Sequence, residues 1–110
     1  MNSVEFRLTR EGLGLTGEWI ADRLGINPRT VERWEAGSNT IPTFAIEAMI
    51  ELSARATEEV AHHLEALAGH ARPAIVIFDG PEDMPARWQR AVAFRVRQAL
   101  PEVRVQAAQE

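Results

Sequence analysis

Residues 25–37 read "GINPRTVERWEAG", and the reading of this stretch decides the fold of the chain around it. Asn27 is a good N-cap, and Pro28 stands in the first turn, where a missing N–H costs nothing. A helix is expected from there to Ala36, with Gly37 free to take the left-handed conformation that closes it. It projects Arg29, Glu32 and Arg33 on one side and hides Val31 and Trp34 on the other. Working backward, Thr16 is an N-cap, and Trp19, Ile20, Ala21 and Leu24 form a short helix closed by Gly25. Val4 and Leu8, with Phe6 a lesser candidate for the same apolar face, mark a first helix over about 2–12, ended by the glycines at 12 and 14.

Small Ala21 allows close approach, Gly25 turns the chain, Ile26 plugs the elbow, and Val31 and Trp34 pack inward. This is the spacing of a helix-turn-helix, whose second helix lies in the major groove of DNA. A generic helical hairpin does not require a small residue, an elbow glycine and an inward aliphatic at these offsets.

Working forward, the loop "GSNTIP" leads into a long helical pattern from Pro42 or Thr43. Ile46, Met49, Ile50, Ser53, Ala56, Val60, Leu64 and Leu67 recur at intervals of three and four. The pattern allows either an unbroken helix to about Ala68 or a break near Ser53–Thr57. "GHARP" (69–73) terminates it. "AIVIF" (74–78) then reads as a strand, "DGPEDMP" as a turn, 86–100 as a helix and "EVRVQ" (102–106) as a second strand. The expected fold is therefore mainly α with a small α+β tail. A helix-turn-helix bundle of four to five helices occupies 1–70, and a strand–helix–strand unit occupies 73–107.

A strand–helix–strand unit of this length favours two parallel neighbours, and two strands alone are marginal. The unit is expected to complete itself against a second copy of the chain. Ile75, Ile77, Trp88, Val92, Val103 and Val105 are the candidate seam, with Trp88 either seam or tail core. Trp34 is expected in the first core. Trp19 is a costly indole to expose, so it should pack on the long helix, the tail or a partner.

At 110 residues, with 45% hydrophobic, the chain supports one domain with a small appendage and a real core. No apolar run approaches the ~20 residues of a membrane span, and a signal-peptide pattern is absent from the N-terminus. The lack of cysteine excludes disulfides and cysteine-based zinc sites and suits a reducing cytoplasm. All twelve basic residues are arginine, so every basic contact comes from a planar, forked donor suited to phosphates and guanine edges. The net charge of −4 opposes general attraction to nucleic acid. The acid excess is concentrated in 41–72, with two Arg against five acids. Binding to DNA must therefore use a local arginine face.

Residues 4–52 resemble the Cro/C1-type helix-turn-helix phage repressor family, most closely over "REGLGLTGEWIADRLGINPRTVERWEAG". The resemblance implies roles. Pro28, Arg29 and Arg33 fall at base-reading positions, with Thr30 and Glu32 beside them. Thr16 and Gly17 start the helix whose N–H groups meet a phosphate. Ser38, Asn39 and Thr40 lie in the loop that contacts the backbone, and Arg10 and Glu35 fall where the family keeps a buried ion pair. Pro28 departs by leaving the first base position without a polar side chain, and Trp19 replaces a usually polar residue. The whole chain, with its "VIF…WQRAVAFRV" tail, resembles the anti-CRISPR-associated autorepressors. That resemblance implies a homodimer joined by the tail that represses its own operon at an inverted repeat in double-stranded DNA; a phage or mobile-element origin and an antitoxin role both fit it.

Other chemistries fare worse. His62, His63 and His70, with Glu59 one turn before His63, suggest metal only weakly, because adjacent histidines point to different helix faces. "AIVIFDG" resembles an aspartate-ended phosphotransfer strand, but a second carboxylate on a larger sheet is missing, so Asp79-Gly80-Pro81 reads as a turn. No nucleophile–base set or phosphate-cradling glycine loop appears at usable spacing. No enzyme, cofactor, metal, membrane or small-molecule partner is expected. The competing reading is a protein-interaction module that keeps the scaffold without binding DNA, favoured by the acidic balance, Pro28 and Trp19.

Overall fold

Asn2 opens the first helix, α1 (Ser3–Gly12), through a reciprocal cap. Its side chain accepts from the Glu5 N–H and the Glu5 carboxylate accepts from the Asn2 N–H, both at 2.8 Å. Such a cap satisfies donors that a helix start otherwise leaves unpaired. The structure, a computed structural model, describes residues 1–80 and 84–108. After α1 come α2 (Gly17–Leu24), α3 (Pro28–Glu35), α4 (Thr43–Leu67), β1 (Ala74–Ile77), α5 (Ala86–Ala99) and β2 (Arg104–Ala107). The mainly helical fold with a strand–helix–strand tail is as expected. The long pattern resolves into one unbroken helix, so four helices precede the tail. Among the described residues, no helix is long and apolar enough to cross a membrane.

The chain forms two compact units, Met1–Ala54 and Arg55–Glu110. In the first, Trp34 meets Phe6 edge-on at 5.8 Å between ring centroids and Phe44 at 6.2 Å. Phe6, Leu13, Leu15, Ile20, Ala21, Val31, Ala45, Met49 and Leu52 complete this core. The orientation of α1 corrects the sequence reading. Phe6 is fully buried, whereas Val4 and Leu8 are 72% and 68% exposed. Residues two apart on a helix point about 200° apart, so burying Phe6 against Trp34 turns both neighbours outward. A smaller rotation applies to α4. Ala45, Met49, Leu52 and Ala56 form its buried stripe, and Ile50 faces solvent.

In the second unit β1 and β2 pair in parallel, with Ile75 opposite Val105 and Ile77 opposite Ala107. Ile75, Ile77, Met84, Trp88, Val92, Ala93, Val96 and Val103 form its core. The sequence boundary at 69–73 marks the end of α4, where Gly69 has φ +78°, but the compact units part earlier, inside the helix. The later turns of α4 are tied to α5. The Trp88 indole N–H donates to Glu59 at 2.9 Å, and the Arg95 guanidinium donates to the Thr57 hydroxyl at 3.3 Å. Gln89 braces the exit of β1: its amide oxygen accepts from the Phe78 N–H, and its amide nitrogen donates to the carbonyls of Phe78 and Met84. The turn expected over "DGPEDMP" includes residues 81–83, which lie outside the described residues.

The expected seam needs correction. Ile75, Ile77, Trp88, Val92 and Val103 are buried within the unit, where β1 packs against α5, and only Val105 remains substantially exposed at 38%. The large apolar side chains this unit leaves outside are Val76, Phe78, Phe94 and Val105.

Candidate nucleic-acid interface

The α2–turn–α3 element is built by local caps. The Thr16 hydroxyl accepts from the Trp19 N–H at 3.0 Å, and the Asn27 side chain accepts from the Arg29 N–H at 2.9 Å with Pro28 following it into the helix. Between the helices, Gly25 takes the left-handed conformation at φ 68° and ψ 36°. That geometry lets the Ile26 N–H return to the Ala21 carbonyl at 2.9 Å. Ala21 is fully buried, as its small size predicted, while Ile26 is half-buried.

On α3, Val31 and Trp34 are buried, Pro28, Arg29, Glu32 and Arg33 are exposed, and Thr30 is half-buried. Arg29 and Arg33 stand one turn apart and form no salt bridge among the described residues. One potential partner, Glu35, is already taken. Arg10 reaches it with two bonds of 2.7 Å and gives a third, at 2.9 Å, to the Leu15 carbonyl. The hydrogen bond to Glu35 raises the Arg10 pKa above its ordinary value, against the opposing effect of burial. The pair ties α1 to α3 as expected and fixes the angle at which α3 is presented.

Thr16, Gly17, Pro28 and Glu32 line one surface depression, together with Arg10, Glu18, Val31 and Glu35. The expected phosphate-contacting start of α2 therefore lies beside the expected base-reading start of α3. Ser38, Asn39 and Thr40 are exposed in the following loop. The Ser38 N–H is tied to the Arg33 carbonyl at 2.9 Å, which anchors this loop to the end of α3.

Trp19 is half-buried, and the Arg23 guanidinium lies over its ring at 5.5 Å. The sequence leaves the partner of Trp19 open, and Arg23 is not among the candidates it offers. Their i,i+4 spacing on α2 was the available signal. Among the histidines, His62 and His70 are exposed, and His63 lines a cleft with Arg55 and Glu59. Burial, then the neighbouring His62, lowers the His63 pKa, and Glu59 partly opposes them. Glu59 itself is engaged with Arg55 at 3.0 Å and with Trp88.

A capped helix, a left-handed glycine turn and a second helix with exposed arginines define a helix-turn-helix domain of the DNA-binding kind. The family model described as "Helix-turn-helix domain" matches residues 3–64, and the chain belongs to that family. A search of curated proteins gave no match.

Proposed function

We propose that this chain is a sequence-specific transcriptional repressor that acts as a homodimer on an inverted repeat in double-stranded DNA and controls its own gene. The observation that carries the reading is the outer face of α3. Arg29 and Arg33 project there without an ionic partner among the described residues, while Val31 and Trp34 anchor the opposite face. Arginine forks suit guanine O6 and N7 in the major groove, each worth about 1–3 kcal/mol of discrimination. Glu32 sits beside them as an acceptor for cytosine N4, and Thr30 and Pro28 complete the reading edge. Thr16 and Gly17 approach one phosphate through the start of α2, and Ser38, Asn39 and Thr40 meet the backbone farther along.

Dimerisation through the tail supplies the two-fold symmetry, placing reading helices roughly 34 Å apart. The burial of most of the originally expected seam shifts this role to Val76, Phe78 and Val105. The Arg104 and Ala108 N–H groups donate inward to Pro73 and Ile77, so the alternating ladder points the backbone of Val105 outward. This open edge supports pairing with a second chain. Such an arrangement accords with Cro/C1-type and anti-CRISPR-associated autorepressors. The chain acts by occupying a cytoplasmic promoter and performs no catalysis.

The test is fluorescence anisotropy with DNA from just upstream of the gene, at two salt concentrations and against a scrambled duplex. Tight, salt-sensitive binding that disappears in Arg29→Ala/Arg33→Ala supports the reading. Equal binding to scrambled DNA, followed by failure to select any sequence from a random pool, overturns it.

A further inference from the structure

The helix α5 carries four arginines, at 87, 90, 95 and 97, and no acidic residue, in a protein whose net charge is −4. Arg95 is turned toward Thr57 and bonded to it. The other three are exposed, as is Phe94 at 65%. With about 100° per residue, Arg87, Arg90, Phe94, Arg97 and Gln98 fall within one arc, opposite the buried arc of Trp88, Val92 and Val96. Arg87, Arg90 and Arg97 form no salt bridge among the described residues. The outer face of α5 is thus an arginine field with a lone aromatic ring inside it.

We infer that this face is a second nucleic-acid site, separate from α3, that binds single-stranded nucleic acid by arginine–phosphate pairing and base stacking on Phe94. Three features favour this partner. Arginine forks bind phosphate oxygens in pairs, and here they supply a local positive field on a chain that is acidic overall. An exposed phenyl ring flanked by such forks is the platform on which an unpaired base stacks, and this stacking is tolerant of sequence. A duplex, whose bases are already stacked on one another, offers the ring no open base face. A membrane surface is a poorer fit, because Phe94 is the sole large apolar side chain on this arc and an interfacial helix needs an apolar stripe. Arg90 and Arg97 are separated by about 10 Å along the helix axis, with Phe94 between them, so a short run of nucleotides spans the site. The inference is independent of whether α3 reads a duplex.

The full chain is titrated against labelled twelve-nucleotide oligo-dT and oligo-U, which separate DNA from RNA as the source of the strand. Scrambled duplex and polyglutamate serve as competitors. Phe94→Ala should weaken binding to the preferred strand about tenfold while leaving its salt dependence in place, since stacking is not ionic. Arg90→Ala/Arg97→Ala should weaken it and reduce the log–log salt slope by about 1.4, from two lost phosphate contacts. Arg29→Ala/Arg33→Ala should leave it unchanged, which keeps this site distinct from the reading helix. Circular dichroism melts of the α5 variants should match the parent, because all three positions are exposed. The proposal is overturned if neither strand binds, if polyglutamate or duplex competes equally, or if the α3 variant rather than the α5 variants loses binding. It is equally overturned if the Phe94 variant changes only the sedimentation of the chain, which would make this face a contact between copies.

Discussion

The Arg10 guanidinium holds the Glu35 carboxylate through two parallel bonds of 2.7 Å, from Nε to Oε2 and from Nη2 to Oε1. The two side chains are 15% and 10% exposed, and 25 residues separate them in the chain. This pair is the polar counterpart of the Phe6–Trp34 contact, and the two together lock α1 onto α3. Removing one member leaves the other poorly solvated. Glu35→Ala should therefore cost about 2 kcal/mol of stability. Arg10→Lys should recover little of an Arg10→Ala loss, because one ammonium cannot replace the fork. Urea unfolding of the three variants checks both statements: a parental midpoint for Glu35→Ala would contradict the first, and a parental midpoint for Arg10→Lys the second.

Two glycines give an internally controlled comparison. Gly25 joins α2 to α3 at φ +68°, where an L side chain is strained, although a Cβ there meets nothing within 4 Å. Gly25→Ala should destabilise by about 1 kcal/mol for conformational reasons alone. Gly12 is the last residue of α1, has no positive φ, and its added Cβ also meets nothing within 4 Å. Gly12→Ala should stabilise by a few tenths up to about 1 kcal/mol. Thermal melts that moved both variants in the same direction would remove the turn argument.

The residues that fixed local structure were legible in the sequence: Thr16, Asn27-Pro28, Gly25 and Gly37 act through their own backbone and nearest neighbours. Arg10–Glu35 was reachable only through the family resemblance, since nothing local announces a partner 25 residues away. The inward face of α1 is not legible locally, because Val4 and Leu8 outnumber Phe6 while the deciding influence, Trp34, lies on another helix. The tail failed in a similar way. The β-branched run at 74–78 and the alternation at 102–106 mark two strands, but neither tells whether α5 or a second chain covers an apolar side chain. Neither caps nor burial specify what a solvent-facing arginine touches, so the roles proposed for Arg29 and Arg33 come from their position on α3.

Trp88 is fully buried, and its indole N–H finds the Glu59 carboxylate. Glu59→Ala should strand that donor and cost about 1–3 kcal/mol. Glu59→Gln keeps an acceptor oxygen and should lose appreciably less. Trp88 fluorescence should follow the second unit in both variants, although Trp19 and Trp34 must first be replaced by Phe. Similar losses for the two variants would show that the charge, rather than the acceptor, matters at this position.

His63 gives the chain a pH-dependent contribution to stability. Its pKa in the folded protein lies below the ordinary value, with burial the largest cause and His62 the next. Because the unfolded chain then takes up the proton more readily, stability contributed by neutral His63 is present above an unfolded pKa of about 6.5. It declines as the pH falls through that value toward the lower folded pKa, below which this group contributes no further slope. His63→Gln should flatten the stability–pH curve in that window and leave it unaltered above about pH 7.5. Denaturation midpoints between mildly acid and neutral pH test this, and an unchanged slope in the variant would assign the dependence to other groups.

On α3 the two exposed arginines should divide the labour. Arg29 donates its backbone N–H to the Asn27 cap, so its side chain leaves from the first turn of the helix, while Arg33 leaves one turn later. Each should read a different base pair of the half-site. Arg33→Ala should lower operator affinity by roughly tenfold to a hundredfold and relax preference at one position per half-site, corresponding to about 1–3 kcal/mol for one arginine–guanine pair. Arg29→Ala should relax a different position. Asn39→Ala, in the exposed loop proposed to meet the DNA backbone, should weaken all sequences alike and preserve the preference. Selection from a randomised half-site with each variant separates these outcomes. If Arg29→Ala and Arg33→Ala weaken every sequence equally, both arginines serve the phosphate backbone, and the base reading must come from Thr30 and Glu32.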